Sequence, residues 1–378
     1  MMMSCERNKP VEPETGQTLL FYMPWSTDLL GYFEQNIADF ETAVKSNILK
    51  NNRLIIFIST SPTKGEMFEL KYRKGNCERV ALKNYTESTL TTAGWITSML
   101  NDVKSFAPAN RYAMIIGSHG MGWIPVASPK ARSGFREKEY WANEAAVKTR
   151  YFGGQTSQFQ TDVTTLAQGI ASAGMKMDYI MFDDCYMSTI EVAYDLKNVT
   201  DHLIASPNEV MIYGFPYHTT GKYLIGDVDY ERICQGFYDF YSNYSTPCGT
   251  ITVTKCAELD DLAVIMKQIN QQFSFDPALL DNLQRMDGYT PARFLDYGDY
   301  VAKLCPDAAL LATFRAQLER VVPSNYRKHT PTFYSMSWNS GHGGEITIDT
   351  FSGVTVSDPS ISPTTILKDE TSWYKATH

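Results

Sequence analysis

Hydrophobic residues in this chain form short continuous runs that alternate with segments of helical periodicity. Five runs have the length and apolarity of a buried strand: 18–23, 53–59, 112–118, 179–183 and 202–206. Apolar residues spaced three and four apart predict amphipathic helices at 29–46 and 89–104. Because buried strands that alternate with helices need cover on both faces, the pattern predicts an α/β fold with a mostly parallel central sheet.

The pattern changes after about residue 255. Downstream we predict three helices and a β-rich tail, at 259–273, 277–286, 308–322 and 330–356. We therefore assign residues 18–255 to the main α/β domain and 256–378 to a smaller C-terminal α+β subdomain. Residues 67–85 predict only a short hairpin beside the main sheet. Residues 1–17 are polar and predict a tether.

Composition narrows the classes of protein. The apolar fraction of 43% is that of a globular protein with a proper core, and the net charge of −8 argues against nucleic acid as a partner. No stretch reaches the roughly 18 apolar residues of a membrane span. The seven cysteines include no Cys-x-x-Cys pair, so a structural zinc site is not expected.

The first residues allow two interpretations. Cys5 follows Ser4 and precedes a polar run, which is typical of the end of a bacterial lipoprotein signal. In that case the protein is extracytoplasmic, a lipoprotein of a Gram-negative bacterial envelope, and contacts the membrane only through a lipid anchor at Cys5. The alternative is an ordinary chain start with a chance cysteine.

Two of the predicted strands end on reactive side chains. The run 112–118 leads into His119 within a glycine-rich turn, and the run 179–183 leads toward Cys185. Ligands and chemistry collect at the carboxyl ends of strands in open α/β sheets. A His and a Cys delivered in this way predict a thiol nucleophile and its base.

The residues after the cysteine predict its activation. Met187, Ile190 and Tyr194 have helical spacing, which would place Cys185 in the first turn of a helix, where unpaired N–H groups favour a thiolate. The N–H groups of Cys185 and Gly120 are then candidate oxyanion donors. By itself, a cysteine at the end of a buried strand is more often an inert apolar residue, and a strand-end histidine a satisfied polar one.

These two segments resemble the clostripain family of cysteine peptidases, relatives of caspases and gingipains. The resemblance rests on Ser118–Trp123 and Asp183–Tyr194 and extends to other segments, so that it covers roughly residues 18–377. It implies a caspase-like α/β/α sandwich, with 18–255 as the peptidase domain. It also implies that a dyad of His119, as general base or acid, and Cys185, as nucleophile, hydrolyses peptide or protein substrates.

The resemblance also implies a specificity pocket. Family members commonly cleave after Arg or Lys through a pocket carboxylate, and Asp183 matches that position, on the same side of the strand as Cys185. A carboxylate there would pair with a guanidinium. The alternative role for Asp183 is to cap the following helix. The loop 207–215 departs from the strictly basic-specific members, with Asn208 and Glu209 where an acidic pocket residue is expected, so Glu209 is a second candidate for substrate binding.

The long polar insert at 125–161 is the third feature that the resemblance addresses, since the family cleaves itself between the His and Cys segments. The insert offers six basic candidates: Lys130, Arg132, Arg136, Lys138, Lys148 and Arg150. A surface loop that is never cleaved is the alternative. No cofactor is required, and calcium enters only by analogy with some relatives, because no acidic loop has calcium-site spacing.

Three rival functions remain to be weighed. The chain could be a catalytically silent surface lipoprotein that acts as a binding module, although it retains both His119 and Cys185. A serine hydrolase is the second rival, but the sequence lacks the Gly-x-Ser-x-Gly turn that carries the nucleophile in such enzymes. A metal site made of His119, Asp184 and Cys185 falls short of four ligands.

Overall fold

The computed structural model describes residues 16–86, 90–126, 152–244, 248–335 and 344–378. Thirteen strands lie in these ranges. In chain order, β1 to β13 are Gln17–Met23, Arg53–Ser61, Lys64–Arg73, Asn76–Thr86, Arg111–Gly117, Met177–Asp183, Thr200–Ala205, Ile251–Lys255, Leu295–Asp296, Arg327–Lys328, Thr332–Ser335, Gly344–Thr347 and Thr355–Val356.

Nine strands form one sheet in the order β10-β8-β7-β6-β5-β1-β2-β3-β4. The five central strands, from β7 to β2, are parallel, and the two strands at each edge are antiparallel to their neighbours. The predicted α/β class with a mostly parallel central sheet is confirmed. In its centre β5 pairs with β6, and the register sets Gly117 opposite Asp183, so the two strands end side by side.

Helices cover both faces of the sheet. They are Leu30–Lys45, Ala93–Phe106, Val163–Ser172, Ile190–Leu196, Tyr217–Leu224, Tyr230–Ser242, Leu259–Gln272, Tyr297–Leu304, Ala308–Val321 and Ser372–Thr377. Alternate residues of β6 enter opposite cores: Ile180 and Phe182 enter one, and Tyr179 and Met181 enter the other. The period of two along each strand thus produces a three-layer sandwich.

Several elements differ from the sequence prediction. The predicted short hairpin is a full two-stranded extension of the sheet, β3 and β4, because Phe68 and Leu70 are buried against β2. The helices Val163–Ser172, Tyr217–Leu224 and Tyr230–Ser242 were not predicted. In place of the helix predicted at 277–286, the chain forms one short 3-10 segment, Pro277–Asn282.

The segment after residue 255 adds to the same sandwich. The helices Leu259–Gln272 and Ala308–Val321 bury Met266 and Phe314 in the core that also holds Ile180. The strand β10 pairs with β8 at the edge of the large sheet. The division at residue 255 into domain and subdomain stays a prediction.

Candidate active site

The nucleophile candidate lies in a tight turn after β6. The helix that follows begins at Ile190, because Thr189 has an extended backbone and its hydroxyl accepts a hydrogen bond from the Val192 N–H at 3.1 Å. The prediction that Cys185 occupies the first turn of that helix is therefore wrong, since the capping threonine starts the helix later. The helix end does not supply the stabilisation of a thiolate that the sequence indicated.

The segment after β7 holds the Cys185 turn instead. The Val210 N–H donates to the Cys185 Sγ at 3.4 Å, and the thiol lies 3.6 Å from the Val210 carbonyl oxygen. The Tyr186 N–H donates to the Asn208 carbonyl at 2.9 Å, and the Ser188 N–H donates to Ser206 at 3.0 Å. Tyr186 itself has a left-handed backbone, with φ of +60°. These contacts hold the Cys185 turn against the segment after β7.

The base candidate, His119, lies after β5 and is fully buried. Its Nε2 lies 2.9 Å from Oδ1 of Asp28, which belongs to the loop after β1. Its backbone N–H donates to the Gly153 carbonyl at 3.2 Å. Asp28 was missed from the sequence, because its only local signal is a place in the loop after an apolar run, and its proximity to His119 depends on the pairing of β1 with β5.

A hydrogen-bonded link joins the two turns. Ser118, directly before His119, donates from its N–H and its hydroxyl to the Asp184 carboxylate, at 2.6 and 3.1 Å. Asp184 directly precedes Cys185, and both Ser118 and Asp184 are fully buried. The Gly153 N–H donates to the Ser118 hydroxyl at 2.9 Å. The link fixes the spacing of the histidine and cysteine turns.

Glycine is required where the two turns meet. A Cβ atom added at Gly120 would collide with the Cys185 carbonyl oxygen and would lie 3.1 Å from the Cys185 nitrogen. The backbones of Gly120 and Cys185 therefore touch, which only a residue without a side chain permits. The structure brings together the two residues that were predicted as oxyanion donors.

The two candidate pocket carboxylates lie in different surroundings. Asp183 is fully buried on the face of the sheet that carries Tyr217, whose hydroxyl donates to Oδ2 at 2.8 Å. Gly214, with φ of +65°, packs directly on this carboxylate. Glu209 is also fully buried, and its Oε1 accepts a hydrogen bond from the Tyr186 hydroxyl at 2.6 Å.

Four other cysteines in the described ranges have raised pKa values. Burial raises the pKa of Cys256 to about 12 and the pKa of the half-buried Cys77 to about 11. Burial likewise raises the pKa of Cys234 and Cys248. Thiols with raised pKa values form little thiolate near neutral pH, so they react slowly with electrophiles.

Some predictions fall on residues outside the described ranges. Cys5 and the six basic residues of the insert are among them. Within those ranges, no group of three or more His, Cys, Asp or Glu side chains is suited to a metal ion. None of the helices that the model describes has the length and hydropathy needed to cross a membrane.

The model of the clostripain family matches residues 21–286, which include both turns of the site. The chain belongs to the clostripain family. The family is one of cysteine proteases, so the resemblance of the two strand-end segments is confirmed.

Solved structures of other clostripain-family proteins resemble this chain. A secreted C11 cysteine protease from Bacteroides thetaiotaomicron, "iotapain", is 56% identical over 97% of this chain and 100% of its own, with a TM-score of 0.88. A clostripain from B. thetaiotaomicron ATCC 29148, in complex with the peptide inhibitor BTN-VLTK-AOMK, is 62% identical over 60% of this chain and 99% of its own, with a TM-score of 0.58.

A more distant relative is an inactive zymogen C11 protease from Parabacteroides distasonis. It is 25% identical over 97% of this chain and 100% of its own, with a TM-score of 0.77. No curated protein sequence matches the chain.

Proposed function

We propose that this clostripain-family member is a cysteine endopeptidase in which Cys185 is the nucleophile and His119 exchanges its proton. The observation that carries the proposal is the link between the two turns. The adjacent parallel strands β5 and β6 place His119 and Cys185 at the carboxyl end of the central sheet, and the Ser118–Asp184 hydrogen bonds hold the two turns together. A cysteine without a catalytic role would not require a hydrogen-bonded link to the turn that carries His119.

The proposed reaction uses groups of this chain throughout. Asp28 holds Nε2 of His119, so Nδ1 takes the proton from the Cys185 thiol. The thiolate attacks the peptide carbonyl, and the N–H groups of Gly120 and Cys185 stabilise the oxyanion. The imidazolium then protonates the leaving amine as the C–N bond breaks. Water, deprotonated by His119, hydrolyses the thioester and releases the acid and the free thiol.

We propose cleavage after Lys or Arg. The strand that leads to the nucleophile ends on a carboxylate, that of Asp183, which favours a cationic side chain. Asp183 is the proposed specificity carboxylate, because it lies two residues before the nucleophile with Gly214 packed on it. The relative that is 62% identical was solved with an inhibitor whose peptide, VLTK, ends in lysine.

Covalent labelling tests the function. Incubation with a peptide acyloxymethyl ketone that ends in lysine is expected to modify Cys185, as peptide mass spectrometry would show. Cys185→Ala and His119→Ala should remove labelling and peptide cleavage, whereas Cys234→Ala, which removes a buried thiol outside the site, should change neither. No adduct and no cleavage by the wild type would instead support the silent binding-module alternative.

We further propose that the chain processes itself within the insert at 125–161. A trypsin-like preference would make its basic residues the cleavage sites. Purified wild type is expected to yield two fragments whose new ends, read by mass spectrometry, follow Lys or Arg. Cys185→Ala should remain one chain under the same conditions. Fragments in both proteins would assign the cleavage to another protease.

We propose an extracytoplasmic location, because a relative that is 56% identical is described as secreted. Lipidation of Cys5 stays a prediction, tested by mass spectrometry of the N-terminal peptide from cells. Calcium stays an analogy with some relatives, and we propose that the chain requires no cofactor. Retention of cleavage in EGTA is the expected result.

A further inference from the structure

The residue after the nucleophile has an unusual backbone. Tyr186 has φ of +60°, a left-handed backbone conformation that residues other than glycine rarely adopt. This conformation reverses the chain directly after Cys185. Conformations of this kind persist only where surrounding contacts impose them, and they cluster at functional sites.

Buried contacts impose this conformation on Tyr186. Its hydroxyl donates to Glu209 Oε1 at 2.6 Å, and its N–H donates to the Asn208 carbonyl at 2.9 Å. Its ring stacks on Phe294 with the centroids 5.0 Å apart and an angle of 22°. The ring is thus held at its hydroxyl end by a carboxylate and on its face by an aromatic side chain.

Glu209 lies between two residues that contact the nucleophile turn. Asn208, before it, binds the Tyr186 N–H, and Val210, after it, donates to the Cys185 Sγ at 3.4 Å. The Glu209 side chain adds the bond to the Tyr186 hydroxyl. A shift of Glu209 would therefore move the turn and the sulfur together.

We propose that Glu209 is a positioning residue that acts through Tyr186. Its carboxylate holds the Tyr186 hydroxyl and thereby the left-handed turn that presents the Cys185 sulfur. The proposal rests on the proposed function, in which Cys185 is the nucleophile. It differs from a direct contact of Glu209 with a basic substrate, because the Tyr186 hydroxyl binds Oε1 and both flanking residues bind the nucleophile turn.

Three single variants and one double variant separate the two roles. Tyr186→Phe and Glu209→Ala should each lower kcat about 10- to 100-fold, because a small displacement of a nucleophile has effects of that size. The KM for lysyl and arginyl peptides should change less than about twofold, since substrate contacts stay intact. Glu209→Gln keeps an acceptor for the hydroxyl, so it should retain a kcat near that of the wild type. The double variant Tyr186→Phe/Glu209→Ala should have a kcat no lower than that of either single variant, because each substitution removes the same hydrogen bond.

A second measurement follows the sulfur directly. The rate of Cys185 alkylation by iodoacetamide should fall in Tyr186→Phe and Glu209→Ala and recover in Glu209→Gln. Tyr179→Phe is the matched control, because it removes a buried tyrosine hydroxyl bond, to the Leu224 carbonyl at 2.6 Å, from the other end of β6. The control should leave kcat and alkylation unchanged. Urea unfolding of each variant identifies those that fold.

Two outcomes would overturn the proposal. If Glu209→Gln raises the KM for basic peptides while Tyr186→Phe leaves all kinetics unchanged, Glu209 contacts the substrate. If a folded Tyr186→Phe keeps the wild-type kcat and alkylation rate, the hydroxyl does not position the turn. A wild type that neither cleaves peptides nor takes the lysyl label would show that the proposed function itself has failed.

Discussion

Some residues of the candidate site can be identified from the sequence around them, and others cannot. His119 and Cys185 stand out because each ends an apolar run. Asp28 follows an apolar run too, but it has no glycine-rich or helical pattern around it. Its role follows from the 2.9 Å contact with the His119 Nε2, which depends on β1 and β5 being neighbours in the sheet.

The contact predicts a role for Asp28 in catalysis. A carboxylate on Nε2 orients the imidazole and stabilises the imidazolium, so Asp28→Asn should lower kcat at least about tenfold with a smaller effect on KM. Steady-state kinetics on a lysyl peptide measure this. Asp39→Asn is the matched control, because Asp39 pairs with the more exposed His218 at 3.1 Å. Equal kcat values for Asp28→Asn and the wild type would refute the role.

The elements around the site are positioned by caps and buried carboxyls. The helix Ile190–Leu196 begins after the Thr189 cap, and Glu191 in its first turn accepts a hydrogen bond from the Ser357 N–H at 2.8 Å. Burial, aided by the charge of Asp358, raises the pKa of Glu191 to about 8. Burial also raises the pKa of Asp358 to about 7. The helix is therefore tied to Ser357 through Glu191, a carboxyl whose raised pKa favours its protonated form in the folded chain.

The raised pKa values predict a pH dependence of stability. The folded chain keeps protons that the unfolded chain loses above its ordinary carboxyl pKa values. The resulting stabilisation is complete below those values and is lost as the pH rises through about 7 to 8. The free energy of unfolding in urea should thus fall between about pH 5 and about pH 8 and level off at higher pH.

A neutral substitute should weaken that dependence. Glu191→Gln keeps an acceptor for the Ser357 N–H and has no proton to lose, so its stability should fall less over the same pH range. Glu66→Gln, at an exposed position of β3, should behave as the wild type does. An identical decline in Glu191→Gln and the wild type would contradict the assignment.

At the scale of the whole molecule, the chain after residue 255 touches the site. The Ser188 hydroxyl donates to the Gly353 carbonyl at 2.9 Å, and the Thr355 N–H donates back to Ser188 at 3.0 Å. The Trp123 indole N–H donates to the Ser357 hydroxyl at 2.9 Å. Segments close to His119 and Cys185 are therefore braced by the C-terminal part of the chain.

These contacts predict one cooperative unfolding transition for the described fold. The core that holds Ile180 is continuous with Met266 and Phe314, so neither part can expose its face alone. Calorimetry of the full chain should give a van't Hoff enthalpy close to the calorimetric one. A truncated chain that ends at Lys255 should lack sharp near-ultraviolet circular dichroism. Two separate transitions would instead favour independent domains.

The local sequence determined the five central strands and the α/β class, and it pointed to the two candidate catalytic residues, because burial of a strand and delivery of a side chain at its end leave local patterns. Tertiary structure decided the rest. The Thr189 cap starts the helix beyond Cys185, although the apolar spacing continues through the turn. Asp28 and the Ser118–Asp184 link exist because strands distant in sequence pair in one register. Glu209 resembles a pocket residue in sequence, yet its carboxylate binds the Tyr186 hydroxyl. The sequence does not reveal this bond, because two residues that meet across a turn leave no periodic pattern.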